Sequence, residues 1–338
     1  MSRVLIISGA FLHRFVLPRL LKNLGRGVYY NHVAKFLAWE KPALLALISI
    51  LAWATVGSAQ EMEPRAYSRA PVGSQFMVFT YAYQTGDVLT DAALPLQDVS
   101  VKLNGVAFGY GRTFGLAGRQ ANVALGAAYY KGRASGTVFE DRQEVTRSGL
   151  GDVRVRFSTI LIGGPALRPK EFAAYKPKAL LGASMTVVMP TGQYDPRRLL
   201  NLGSNRWSFK PEVGLSKPFG SWTLELVGGV WLFTANNDFF GGVKREQKPI
   251  VSLQSHLIYT IRRRMWAALD TGYYTGGRTV VNGIINNDKQ ANSRIGGTFS
   301  LPLTQRQSFK VAFAKGLTTR FGGDMTTIVF GWQYAWVD

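Results

Sequence analysis

From residue 75 onward, polar and apolar residues alternate with a period of two in one segment after another. In 152–162, Val153, Val155, Phe157, Thr159 and Leu161 share one face and Asp152, Arg154, Arg156 and Ser158 the other. In 206–217, Trp207, Phe209, Val213 and Leu215 oppose Arg206, Ser208, Lys210, Glu212 and Ser216. In 250–262, Val251, Leu253, Leu257, Tyr259 and Ile261 oppose Ser252, Gln254, His256, Thr260 and Arg262. Such alternation places successive side chains on opposite faces of a strand, and repeats of about ten residues are the signature of a transmembrane barrel. The pattern predicts twelve strands, at 75–84, 99–113, 120–132, 152–163, 178–189, 206–217, 222–233, 250–262, 265–276, 293–302, 307–315 and 325–337.

The connections fall into two kinds. Those at 86–98, 133–151, 190–205, 234–249, 277–292 and 316–324 are long and polar, and most of the others are tight. Short turns on one side and long loops on the other, with an even strand count, distinguish an outer-membrane barrel from a soluble sandwich. The stretch 164–177, with Pro165, Pro169 and Pro177, is the exception and reads as a periplasmic flap. Trp222, Tyr259, Phe309 and Trp336 fall near the short-turn ends and Trp207 and Tyr273 near the long-loop ends, as two interfacial girdles require. The expected fold is therefore all-β, a transmembrane antiparallel β-barrel of about 12 strands over 75–338, in the outer membrane of a Gram-negative bacterium.

Ahead of the barrel, residues 42–57 (PALLALISILAWATVG) are uncharged and mostly apolar, behind Lys35 and Lys41 and before Ser58-Ala59-Gln60. That is the form of a secretory signal cut after Ala59, and it is short for a spanning helix. Residues 1–59 are then a signal peptide with an unusually long basic n-region. Either the true start is a non-ATG codon downstream of Met1 or the signal is an extended one; the alternative to both is an N-terminal membrane anchor. Residues 60–74, with Pro64, Arg65, Tyr67, Arg69 and Pro71, form a periplasmic tether, the more common role, or a plug in the lumen.

Composition narrows the function classes. The 338 residues contain no cysteine, which excludes a disulfide scaffold, a thiolate metal site and a cysteine nucleophile. Their net charge of +20 suggests nucleic acid at first sight, but seven Lys/Arg and one acidic residue belong to residues 1–41. The remaining basic residues are scattered, with no nucleic-acid module around them.

Five stretches carry a resemblance: RAYSRAPVG (65–73), GLGDVRVR (149–156), PTGQYD (190–195), NLGSNRWSFKPE (201–212) and YYTGGR (273–278). They are similar to the outer-membrane transporters of the MetA pathway of phenol degradation. The resemblance covers essentially all of 64–338 and is most specific over 190–212. It implies a roughly 12-stranded barrel that takes up small hydrophobic or aromatic compounds.

By strand parity, the inward charged residues are Lys102, Arg112, Asp152, Arg154, Arg156, Arg206, Lys210, Glu212, Glu225, Arg262, Arg294 and Lys310, with His256 as a further polar lumen residue. A charge facing lipid costs about 2–4 kcal/mol near the midplane, so these residues are expected to turn inward. They form either a satisfied ion-pair lattice or a positive lining that favours anions or aromatic acids. Twelve strands enclose a narrow lumen, which a short segment can constrict.

A Ser-His catalytic pair would need His256, but Ser252, four residues away on the same strand face, lies roughly 13 Å off, beyond hydrogen-bond reach. No catalytic set, metal or cofactor is therefore expected. Calcium on Glu140, Asp141 and Glu144 is less apt than salt bridges with Arg142 and Arg147. Gly109-Tyr110-Gly111 and Gly228-Gly229 read as close backbone approaches, not nucleotide motifs. Two functions remain: a channel for small hydrophobic or aromatic, possibly acidic, solutes, or a closed structural or adhesion barrel. The expected partners are outer-membrane lipid and lipopolysaccharide, the solute, and the barrel-assembly machinery.

Overall fold

A computed structural model of the chain describes residues 62–89, 96–138, 141–176, 178–198 and 201–337. The expected signal segment 1–59 lies outside the described residues. The strands are β1 (Ser74–Leu89), β2 (Leu96–Leu116), β3 (Arg119–Val138), β4 (Asp141–Leu150), β5 (Val153–Ile162), β6 (Leu180–Met189), β7 (Ser208–Phe219), β8 (Trp222–Phe233), β9 (Asn236–Phe239), β10 (Val243–Gln247), β11 (Ile250–Arg262), β12 (Met265–Gly276), β13 (Thr279–Val281), β14 (Ile284–Ile285), β15 (Gln290–Pro302), β16 (Gln307–Thr318) and β17 (Gly322–Val337).

Twelve of these pair antiparallel in a ring, β1-β2-β3-β5-β6-β7-β8-β11-β12-β15-β16-β17 and back to β1. The seam runs from Ser74 opposite Val337 to Leu89 opposite Gly322. Within the ring, closure leaves no edge strand, which is what permits a sheet to sit in hydrocarbon. Each ring strand coincides with one of the twelve alternating segments.

The outer face is apolar. Phe79, Val106, Phe108, Leu125, Val213, Leu226, Leu253, Leu269 and Phe313 are all exposed, the inverse of a soluble protein and the arrangement a lipid-facing band requires. Trp222 packs on Tyr259 at 4.8 Å between centroids, and Trp332, Tyr334 and Trp336 run in a row along β17. These rings lie towards the tight-turn ends of their strands, where an interfacial girdle belongs.

The tight turns are built by backbone chemistry. Between β2 and β3, Ala117 and Gly118 both take positive φ, 46° and 74°, as a two-residue type I′ hairpin demands.

The long connections hold more structure than alternation alone predicted. Residues 141–150, within the expected loop 133–151, form β4, which extends the β3 ladder from Tyr129 opposite Leu150 to Val138 opposite Asp141. Its sequence DRQEVTRSGL is polar on both faces, which a strand projecting beyond the membrane tolerates. There Arg133 pairs with Glu144 at 3.4 Å. The loops after β8 and β12 contribute a separate four-stranded sheet, β14-β13-β10-β9.

On the opposite side, 164–176 carries one short helix, α1 (Pro169–Ala174). Pro at its first turn and the Glu171 carboxylate, which accepts the Arg168 amide at 2.9 Å, fix its start.

Parity along β2 corrects part of the sequence reading. Lys102 and Arg112 are exposed on the face that carries Val106 and Phe108, and that face looks outward. The inward face is Val99, Val101, Leu103, Gly105, Ala107 and Gly109. Both charges flank the apolar band instead of entering the lumen, and near the interfaces the lipid-face penalty falls to about 0–1 kcal/mol. Lys102→Leu should therefore change barrel stability by less than about 0.5 kcal/mol. Val106→Arg, inside the band, should cost about 2–4 kcal/mol. Urea unfolding in lipid vesicles measures both, and equal costs would mean that the band does not end between these two positions.

Candidate functional site

The lumen is filled from below by the chain's own N-terminal segment. The Val72 amide donates to Leu167 O at 2.8 Å and the Gly73 amide to Thr113 O at 3.1 Å, tying the segment to the flap and to β2. From there it climbs inside. The Ala70 amide donates to Gln120 Oε1 at 3.0 Å, and Arg69 stacks on Tyr175 of the flap.

Tyr67 is seated on Gly182 of β6 and Gly214 of β7, which pair directly across the ladder. A Cβ at either glycine would collide with the ring. Its hydroxyl bonds Ser184 Oγ at 3.0 Å. The Arg65 amide donates to Glu225 Oε2 at 2.7 Å, its guanidinium donates to Thr260 Oγ1 at 3.0 Å, and the guanidinium lies over Trp266. Residues 63–70 thus contact residues of β3, β5, β6, β7, β8, β11 and β12.

Around this segment the wall residues form a compensated charge lattice. Glu212, buried on β7, meets Lys210 at 2.9 Å and Arg156 of β5 at 3.8 Å. Arg156 also pairs with Glu63 of the N-terminal segment at 3.1 Å. Glu225 accepts from Ser216 Oγ at 3.1 Å. His256 Nδ1 lies 2.7 Å from Asp270 Oδ1, and Asp270 Oδ2 accepts from Thr298 Oγ1 at 2.7 Å. Buried charges survive in a low-dielectric wall only when paired and hydrogen-bonded in this way.

The mouth on the long-loop side is different. Arg206 precedes β7 and donates to Gln247 Oε1, with its guanidinium 4.3 Å above the Phe233 ring. Arg245 of β10 is only 8% exposed and lies over Phe239. Among the described residues neither forms an ion pair. Burial and then the Arg245 charge pull Arg206 well below the ordinary guanidinium range, against the attraction of Asp152. Burial brings Arg245 down to about 10, against Asp288 and Tyr194. Both residues stay protonated at any physiological pH, each attracted by one carboxylate, Asp152 or Asp288, that forms no ion pair with it.

Of the residues expected to line the lumen, Arg154, Arg156, Lys210, Glu212, Glu225, His256, Arg294 and Lys310 lie on the inward face of their strands, and Arg206 reaches Gln247 at the mouth. Arg294 is spent on Met325 O at 2.7 Å. Asp152 anchors a loop: its oxygens accept from the Gly192 and Ser204 amides and from Ser204 Oγ. Arg262 departs from the expectation, because a bulge between Thr260 and Arg262 takes it out of the alternation and leaves it exposed at the tight turn.

His256 is paired with Asp270, whereas Ser252 Oγ donates to Gly229 O and Ser255 bonds Thr271, so neither serine engages the histidine. Asp270, Arg245, Trp231 and Phe233 were not singled out from the sequence. Arg245 falls in KREQK (244–248), which is polar throughout, so no alternation in the sequence marked its buried position.

The family model described as "Putative MetA-pathway of phenol degradation" matches residues 66–323. No curated protein matches the chain. Among solved structures, the COG4313 outer membrane channel from Pseudomonas putida F1 superposes with a TM-score of 0.68 at 21% identity, covering 82% of this chain and 100% of that one. The transport unit of the autotransporter AIDA-I from Escherichia coli superposes with a TM-score of 0.51 at 10% identity, covering 86% of this chain and 96% of that one. The closed ring of twelve strands thus has the fold of an outer-membrane β-barrel, and the chain belongs to the family of the MetA pathway of phenol degradation.

Proposed function

We propose that the protein is a channel of the Gram-negative outer membrane for uptake of small aromatic compounds, held closed at rest by its N-terminal segment. One observation carries this reading. Cations and aromatic rings are paired repeatedly from the long-loop mouth into the barrel: Arg245 on Phe239, Arg206 on Phe233, Lys210 on Trp231, Arg156 on Tyr67 and Arg65 on Trp266. A ring passing inward exchanges one such stack for the next, each worth about 0.5–2 kcal/mol, so it is held weakly at several points and never trapped.

The matching family's reference to phenol degradation and the similarity to the COG4313 outer membrane channel support the same reading. On this reading the chain is exported through a signal cut after Ala59, delivered by the barrel-assembly machinery, and set among outer-membrane lipid and lipopolysaccharide. No covalent chemistry is assigned to it.

The test is single-channel current through the refolded mature chain in a planar bilayer. Phenol and benzyl alcohol should interrupt the current in a concentration-dependent way that glucose at equal concentration does not. A folded barrel that passes no current under any condition would favour the closed structural or adhesion role instead.

A further inference from the structure

Two buried like charges side by side are costly unless something of opposite sign joins them. Arg206 Nη1 and Arg245 Nε are buried and have no hydrogen-bond acceptor among the described residues. The two acidic side chains that act on them are already engaged. Asp152 holds Gly192 and Ser204, and Asp288 accepts from the Thr279 amide and from Thr279 Oγ1 at 2.8 and 2.6 Å.

Next to Arg206, the Phe233 ring runs parallel to Trp231 within 9°, with centroids 6.3 Å apart, a flat apolar strip leading inward. A guanidinium offers a planar fork of donors that matches a carboxylate. Arg206 stands at the head of this strip, and Arg245 lies on the same buried face of β10 as Gln247, the residue that Arg206 bonds.

We propose that the Arg206–Arg245 pair is the entry site for aromatic carboxylates, the two guanidinium groups taking the carboxylate and Phe233 and Trp231 taking the ring. This rests on the reading of the barrel as a channel for aromatic solutes, and it adds the charge that the preferred solute carries. The pair sits at the long-loop mouth, ahead of the compensated lattice. An acid is therefore concentrated where guanidinium donors lack an acceptor and handed on where the charges are already paired.

The experiment uses the full mature chain in a planar bilayer with three probes added to the long-loop side. Sodium benzoate has ring and charge, benzyl alcohol the ring alone, and sodium acetate the charge alone. The concentration giving half-maximal interruption of current should be at least roughly tenfold lower for benzoate than for either other probe. Arg245→Gln and Arg206→Gln should each bring benzoate to the level of benzyl alcohol, and the double variant Arg206→Lys/Arg245→Lys should keep part of the preference. A folded barrel is verified by its heat-modifiable gel mobility.

Equal responses to benzoate and benzyl alcohol in the unsubstituted chain would overturn the anion site and leave the aromatic channel standing. A response to acetate matching that to benzoate would overturn the role given to the ring. Silence towards all three overturns the channel reading and this site with it.

Discussion

Removing residues 63–70 should raise single-channel conductance severalfold and abolish the long closed periods of the intact chain. The segment occupies the lumen through a few strong attachments: Tyr67 on its two-glycine seat, the Arg65 amide on Glu225, and Glu63 on Arg156. Without them a 12-stranded ring has the inner width of a narrow water-filled pore. Gly214→Leu is the companion variant, because its side chain occupies the space of the Tyr67 ring and unseats the segment without shortening the chain. It should reproduce the gain in part. Conductance unchanged in both variants would show that the constriction lies elsewhere, in the loops at the mouth.

Glu212→Leu should destabilise the barrel by about 3–5 kcal/mol, since it leaves Lys210 and part of Arg156 buried without their counter-charge. The double variant Lys210→Met/Glu212→Leu should recover most of that loss, because a buried pair exchanged for apolar side chains of similar volume is close to neutral. Urea unfolding in lipid vesicles gives both values. If the single substitution costs under about 1 kcal/mol, lumen water is solvating the pair and the lattice contributes little.

The fold was readable from the sequence because lipid on one side and a polar lumen on the other impose a strict period of two. Segments such as 206–217 and 250–262 obey it over their whole length. The rule fails where its physical cause stops. On β2 above the membrane, Val99, Val101 and Leu103 are buried, with Val101 opposite the buried Ala134 of β3, so there the apolar face is the inner one. Reading that face as lipid-facing turned Lys102 and Arg112 to the wrong side. Arg262 was misplaced by a bulge, which leaves no trace in composition.

The lumen charges on β5, β7 and β8 were legible because a spanning strand has nowhere else to put them. Their partners were not, because Tyr67 meets Gly182 and Gly214 only once β6 and β7 are side by side and the segment has folded back. The mouth arginines fall between these cases. Arg206 continues the alternation of β7, whereas Arg245 belongs to a small sheet formed by two loops distant in sequence.

The N-terminal segment is joined to β1 at Ser74, so the ligand that fills the lumen is tethered there and cannot diffuse away. A short tether holds its end near a site at an effective concentration on the order of millimolar. A solute that displaces Tyr67 from its glycine seat competes with that concentration, and the affinity it shows is its intrinsic affinity reduced by the fraction of barrels that are open. On the channel reading, solutes of modest affinity would be admitted only when abundant outside, and lengthening the link before Ser74 should lower that threshold without altering a single residue of the wall.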